Sequence, residues 1–438
     1  MVAQVGAQDT GSANRLPYGI GRFGSVWSLF SAILLAIALW GLFAYSRQFF
    51  VGEIVTGMRD IGTMGGAAWG LYIAFDGYFV GVSFAGITVA ILIRLLHLDH
   101  LRPVSRIAIV LAVITLILGA MTVVADLGQP IRGIINLLMY ARPQSPFFGT
   151  FTLVLAGYLF ASLVYLYLEG RRDAALLAQR AQGALQRFYH LWAAGYRGTN
   201  AEQERHRRTT FWLAVGIAPL LITATSTLGF VFGIQSGRPG WFGSLQAPAF
   251  VVLAGVSGLG VLIVLAAVLR QALAAQDQLN QRVFVWLGNF LMVLTTTYIY
   301  FVIVELLTAT YTSSHNEVQA TTALLRGEYA WLYWLSVVCL GLPALLLFGQ
   351  FLLSRYSLAL IVLSGLLVNV AAIGKRYLIV VPSQTYAPLL PYPTGSYSPT
   401  WVEYSIVVGL FALGALLLAI FVKVFPIMEV PESTEGGR

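Results

Sequence analysis

The chain has 438 residues, of which 58% are hydrophobic and only 10% charged, with a mean hydropathy of +0.79. Apolar segments must run along almost its whole length, which excludes an ordinary water-soluble domain and identifies a polytopic membrane protein. The formal net charge of +8 belongs to loops meeting anionic lipid, not to a nucleic-acid surface, and one cysteine, Cys339, in an apolar run cannot build a disulfide, an iron–sulfur cluster or a thiolate zinc site.

Residues 1–24 form a polar segment carrying Arg15 and Arg22. No small-residue cleavage site follows the next apolar run, so that run is read as an uncleaved first span. Ten stretches of spanning length are marked, at 25–46, 67–93, 107–127, 147–168, 211–234, 248–269, 283–308, 330–353, 356–379 and 401–423. All should be helices, because backbone in lipid must satisfy its own hydrogen bonds. The expected fold class is all-α: a polytopic membrane helix bundle of ten transmembrane helices over residues 25–423, with 424–438 as a cytoplasmic tail.

Placing both termini in the cytoplasm leaves 18 of the 26 Lys and Arg residues inside and 8 outside, which sets the orientation in the cell inner (plasma) membrane. The basic inner loop 169–210 carries eight arginines on an Ala/Leu/Gln-rich background suited to an amphipathic surface helix. The outer stretches 128–146 and 379–400 are rich in proline and aromatics and suit an ordered docking surface. A faint repeat links "GVSFAG" at 81–86 with "GVSGLG" at 255–260. It fits two four-helix units, spans 2–5 and 6–9, with spans 1 and 10 peripheral, although close packing of small residues explains it equally.

One acid stands out. Asp76 lies roughly 13 Å along span 2 when counted from Ala67, too deep to snorkel easily, so it should be buried against protein or doing chemistry. Trp69, Tyr72, Asp76, Phe79 and Ser83 follow steps of three and four and should share one helical face. Asp126 and Arg132 at the outer end of span 3, Glu305 on span 7, and Lys375 and Arg376 on span 9 should reach the same outer level. Each of these alone could be an anchor or a neutralising partner.

The five histidines offer no opposed pair within the membrane, so neither a b-type haem nor a zinc or di-iron site is expected. What remains is a site for a small or amphipathic molecule built from carboxylates, a phenol and basic groups. Proton-coupled quinol chemistry and a proton-coupled secondary transporter both fit this. A passive membrane anchor would leave Asp76 unexplained.

The ordered set "TGMRD", "WGLYIAFDGYFVGVSFAG", "DLGQPIR", "YFVIVELLTATY", "KRYLIVVPS" and "SPTWVEYSIVVGLFALGALLLAIFVKVFPI", over roughly residues 50–428, resembles the NrfD/PsrC family of integral quinone-reactive subunits. The ten-span branch, similar to DsrP, HybB and the alternative complex III membrane subunits, matches best. The resemblance implies menaquinone or ubiquinone bound as substrate near the outer face, no haem or iron–sulfur cluster in this chain, and electron exchange with a ferredoxin-like iron–sulfur subunit. A molybdopterin or multihaem cytochrome catalytic subunit would complete a respiratory oxidoreductase complex, and the chain should not be active alone. By position the resemblance implies Asp76, Asp126 and Glu305 as proton-handling residues and Asp76, Arg132 and Arg376 as quinone contacts, to which Trp69 and Tyr72 are added from the predicted face they share with Asp76. Gln129 stands where the family's "DLGRPxR" pattern has arginine. In this reading Asp76 exchanges the proton, Trp69 and Tyr72 flank the ring, and Arg132 or Arg376 stabilises negative charge on its oxygens.

Overall fold

A computed structural model describes residues 16–59, 66–140, 142, 144, 152–311, 315–386 and 395–429. The described residues form α1 (Ser25–Val51), α2 (Leu71–Leu95), α3 (Arg102–Asp126), α4 (Pro130–Tyr140), α5 (Thr152–Ala178), α6 (Gly183–Ala193) and α7 (Asn200–Gly233). They continue with α8 (Gln246–Ala272), α9 (Gln281–Tyr311), α10 (His315–Arg326), α11 (Ala330–Leu353), α12 (Leu358–Val380), α13 (Pro382–Thr385) and α14 (Trp401–Val424). Ten of these helices are long and apolar enough to cross a membrane. The fold class is therefore the expected all-α bundle.

Helices α2, α3, α5 and α7 pack together, as do α8, α9, α11 and α12, while α1 pairs with α14 at the periphery. The two repeat motifs form the seam between these units. A Cβ on Gly81 would lie 3.3 Å from Ala254 Cα, and one on Gly258 would lie 2.9 Å from the Val82 carbonyl oxygen. Small residues there let α2 and α8 approach backbone to backbone, the device membrane helices use where lipid supplies no hydrophobic drive. Consequently α2 is the central helix, with nearly every residue from Leu71 to Ile93 buried, whereas α1 exposes most of its apolar side chains.

The stretch 169–210 differs from the expected loop. Helix α5 continues to Ala178, α6 covers Gly183–Ala193, and α7 begins at Asn200 under a Thr199/Glu202 capping box. The start of the C-terminal tail and the helix ends on this side are tied together by Arg106, 2% exposed, which pairs with Asp173 at 2.6 Å and donates to the carbonyls of Pro426 and Met428. At the opposite end, α4 occupies most of the expected docking stretch 128–146. Residues 141, 143 and 145–146 of that stretch and 387–394 of the other lie outside the described residues.

Candidate functional site

The segment before α2 is held from three directions. Trp69 has its backbone bracketed by Gln384, whose Oε1 accepts from Trp69 N at 3.1 Å and whose Nε2 donates to Trp69 O at 2.8 Å. Leu71 N, an unsatisfied donor at the helix start, donates to the Tyr397 hydroxyl at 2.7 Å. That hydroxyl donates to Glu403, which is 0% exposed and also accepts from Gly57 N at 2.7 Å and Thr400 N at 2.9 Å. Burial, then the Glu403 charge, pushes the Tyr397 phenol up. Gln384 and Tyr397, which flank the two C-terminal motifs, together with Glu403 inside the second, thus pin the entry of α2.

From that anchor α2 carries Asp76 inward. Asp76 is 3% exposed, and its Oδ1 has no hydrogen-bond partner among the described residues. The oxygen faces α3 at Gly119, 3.4 Å from where a Cβ there would stand. On the adjoining face of α2, Arg376 from α12 is 2% exposed, lies across Gly77 and Gly81, and sits 4.0 Å from the Phe250 ring centre. Its Nη2 reaches only the Phe250 carbonyl, at 3.5 Å, and its Nη1 has no partner among the described residues. A buried carboxyl and a buried guanidinium, each with an unused polar atom and no ion pair joining them, are costly to keep.

One turn toward the pinned end, the Tyr72 hydroxyl donates to Gln48 Oε1 at 2.7 Å. Gln48 Nε2 donates to Glu53 Oε1 at 3.1 Å and to Ala125 O at 2.7 Å, beside Asp126. Asp126 Oδ1 is buried without a partner among the described residues, and Glu53, Asp76 and Glu403 are its electrostatic neighbours. Glu53, half-buried just beyond α1, is pushed from its ordinary 4.5 up to about 7, chiefly by burial, with Gln48 opposing and Glu403 adding. Hydrogen bonds therefore join Tyr72, Gln48 and Glu53, and Asp126, an electrostatic neighbour of Glu53 and Asp76, lies beside them.

The single expected pocket is not assembled in this form. Trp69 and Tyr72 do not share a face, because α2 begins only at Leu71 and Gly70 is non-helical at φ −124° and ψ −134°. Trp69 instead stacks on Trp241, 5.8 Å between ring centres, while Tyr72 turns to α1. Arg132 is exposed on α4, away from the buried cluster. Glu305 pairs with Lys375 at 3.4 Å and lines a separate chamber between α9 and α12. Asp76 has Arg376 and Asp126 as electrostatic neighbours, while Tyr72 and Asp126 lie with Glu53 near the end of α2. Sequence reasoning missed Gln48, Glu53, Gln384 and the Tyr397–Glu403 pair. A glutamine inside span 1 and an acid just past its end were the signals available.

Among the described residues no group of three or more His, Cys, Asp or Glu is placed to hold a metal ion. The polysulphide reductase NrfD family model matches residues 60–388. A putative dimethyl sulfoxide reductase membrane subunit of Halobacterium salinarum is 27% identical over 98% of both chains. A selenate reductase subunit of Mesobacillus selenatarsenatis is 26% identical over 92% of this chain and 94% of its own. An Hdr-like menaquinol oxidoreductase integral membrane subunit of Archaeoglobus fulgidus is 23% identical over 91% of this chain and 93% of its own.

Proposed function

The chain belongs to the polysulphide reductase NrfD family, and from that premise we propose that it is the membrane subunit through which an oxidoreductase complex exchanges electrons and protons with the quinone pool. The observation that carries this reading is the buried, unpaired Asp76 and Arg376 at one level of the central helix. The names of relatives, subunits of reductases and of a menaquinol oxidoreductase, support it.

A quinol gives up two protons and two electrons, so its ring oxygens need a proton acceptor and a fixed positive charge within reach. Asp76 Oδ1 is the proton-exchanging atom, and Arg376 Nη1 the donor that balances charge on the opposite ring oxygen. Protons then pass between Asp76 and the helix ends by way of Asp126 and Glu53, with Tyr72 and Gln48 holding the route in place. Electrons leave to an iron–sulfur partner docked over α4 and the described part of the 379–400 stretch, which adjoin the end of α2. By the distribution of Lys and Arg, that end is the outer face and both termini are cytoplasmic.

The test is purification of the tagged chain from its native membrane, with identification of the accompanying subunits and a quinol-driven reduction assay on the product. The expected result is co-purification with an iron–sulfur subunit and quinol-linked turnover by the complex. A chain that purifies alone and, in vesicles, couples solute flux to a proton gradient would overturn the reading in favour of a carrier.

A further inference from the structure

Helix α12 turns a second charged residue away from the Asp76 cluster. Lys375 is 4% exposed, and its ammonium has one described acceptor, Glu305 Oε2, at the long distance of 3.4 Å. The Glu305 side chain is 44% exposed. Both line a partly open chamber of about 550 Å³ between α9, the short amphipathic α10, α12 and residues 240–249 at the start of α8, with Tyr298 and Tyr333 beside them and Phe301, Leu324 and Leu378 along the rest of the wall. The hydroxyls of Tyr298 and Tyr333, on residues 3% and 6% exposed, have no described hydrogen-bond partner. The chamber therefore has one end with two phenols, an ammonium and a carboxylate, and an apolar remainder.

From this geometry we infer that the chamber is a second binding site for an isoprenoid quinone or quinol, independent of the Asp76 cluster. The inference rests on the quinone reading proposed above. Its volume falls within the range of small-molecule sites, which are mostly apolar with a few convergent polar groups. The polar end is close to charge-neutral and offers donors and an acceptor together. A ring carbonyl accepts from Lys375 Nζ or a phenol, and a ring hydroxyl donates to Glu305. A phospholipid phosphate would meet the Glu305 carboxylate as well as the ammonium, so an anionic headgroup suits the site less well. Burying the lysine beside an acid and two open hydroxyls is expensive in lipid unless a ligand uses them. No electron or proton transfer is assigned to this site; it holds a second quinone close to the first, across α12.

The experiment is a fluorescence-quench titration of the purified complex with the quinol analogue 2-heptyl-4-hydroxyquinoline N-oxide, with phospholipid retained on each preparation measured by mass spectrometry. The unmodified complex should bind two equivalents. Tyr298→Phe, which removes only a hydroxyl, should weaken one equivalent by about tenfold, and Lys375→Met should abolish it; both should leave the second equivalent and quinol turnover in place. Asp76→Asn should affect the other equivalent alone. One equivalent in the unmodified complex, insensitive to Tyr298→Phe, overturns the second site while leaving the proposed function standing. A tightly held phospholipid lost on Lys375→Met overturns it in favour of a lipid site. Absence of any binding removes the quinone reading and this inference together.

Discussion

Lys375 and Arg376 are consecutive on α12, yet they serve different neighbourhoods: Lys375 Nζ pairs with Glu305 at 3.4 Å, whereas Arg376 lies 4.0 Å from the Phe250 ring centre and faces α2 across Gly77 and Gly81. Successive side chains on a helix diverge by about 100°, which turns the two cations toward different neighbours. Tyr298 lies between them as an electrostatic neighbour of both, so the Asp76 cluster and the Glu305 chamber adjoin across α12.

Asp76→Asn keeps the size of the side chain and removes the ionisable group. The complex should assemble, and quinol-linked turnover should fall by about two orders of magnitude or more, as for loss of a general acid or base. No described ion pair depends on Asp76, so a merely structural role would leave turnover per assembled complex unchanged. Stopped-flow turnover on size-purified complex decides between the two, and normal turnover across the pH range would remove Asp76 from the mechanism.

Glu53 gives the site a pH dependence of predictable sign. Burial lifts it from 4.5 to about 7, so between those values the folded protein retains a proton that the unfolded chain has released. The folded state then binds more protons, and stability falls as pH rises across that window. Glu53→Gln should flatten both this decline in melting temperature and the limb of the turnover profile near pH 7. Unchanged profiles in the variant would exclude Glu53 from the proton route.

Glu403 accepts three hydrogen bonds that join α14, the stretch before α2 and Tyr397. Glu403→Ala strands those neutral donors in the interior and should cost about 1–3 kcal/mol for each one left unsatisfied. Glu403→Gln should lose less. Because Tyr397 caps α2, quinol turnover should drop together with melting temperature in detergent; full turnover in an alanine variant that still melts normally would show that the α2 entry is set elsewhere.

Arg132 is exposed on α4 among the exposed Ile131, Ile134, Ile135 and Met139. Its proposed role is at the partner surface, not in the quinone pocket. Arg132→Glu should lower recovery of the iron–sulfur subunit by several-fold without altering binding of the quinol analogue. Cross-links from α4 that reach no redox subunit, while the ends near α6 do, would reverse the docking side.

Orientation is open to direct labelling, since the native Cys339 is 6% exposed and should stay silent. Single cysteines introduced within 169–210 should resist impermeant maleimide in intact cells, and one at Tyr397's neighbour Ser396 should react. The opposite pattern would place the site on the cytoplasmic face.

What the sequence determined by itself was everything that hydrophobicity and covalent order decide. Ten apolar runs, the small-residue motifs at 81–86 and 255–260, and the depth of Asp76 follow from residue type and position, because lipid leaves a spanning backbone only the helix. The family resemblance likewise rests on ordered motifs, and it selected Asp76, Asp126, Arg132, Glu305 and Arg376, of which Asp76 lies near both Asp126 and Arg376 while Arg132 and Glu305 lie apart. Tertiary structure alone decided which polar side chains meet. Helical periodicity extended back to Trp69 placed it beside Tyr72, but Gly70 breaks the helix there, and Gln384 and Tyr397, more than 300 positions away in the chain, fix where it starts. Glu305 and Arg376 lie at a similar depth by counting, yet depth does not give the direction in which each side chain leaves its helix, and Glu305 meets Lys375 while Arg376 turns to Phe250 and α2. Glu53 and Gln48 looked like the fringe of a peripheral span until α1 carried them against the end of α3, where a half-buried acid beside Asp126 becomes part of the site.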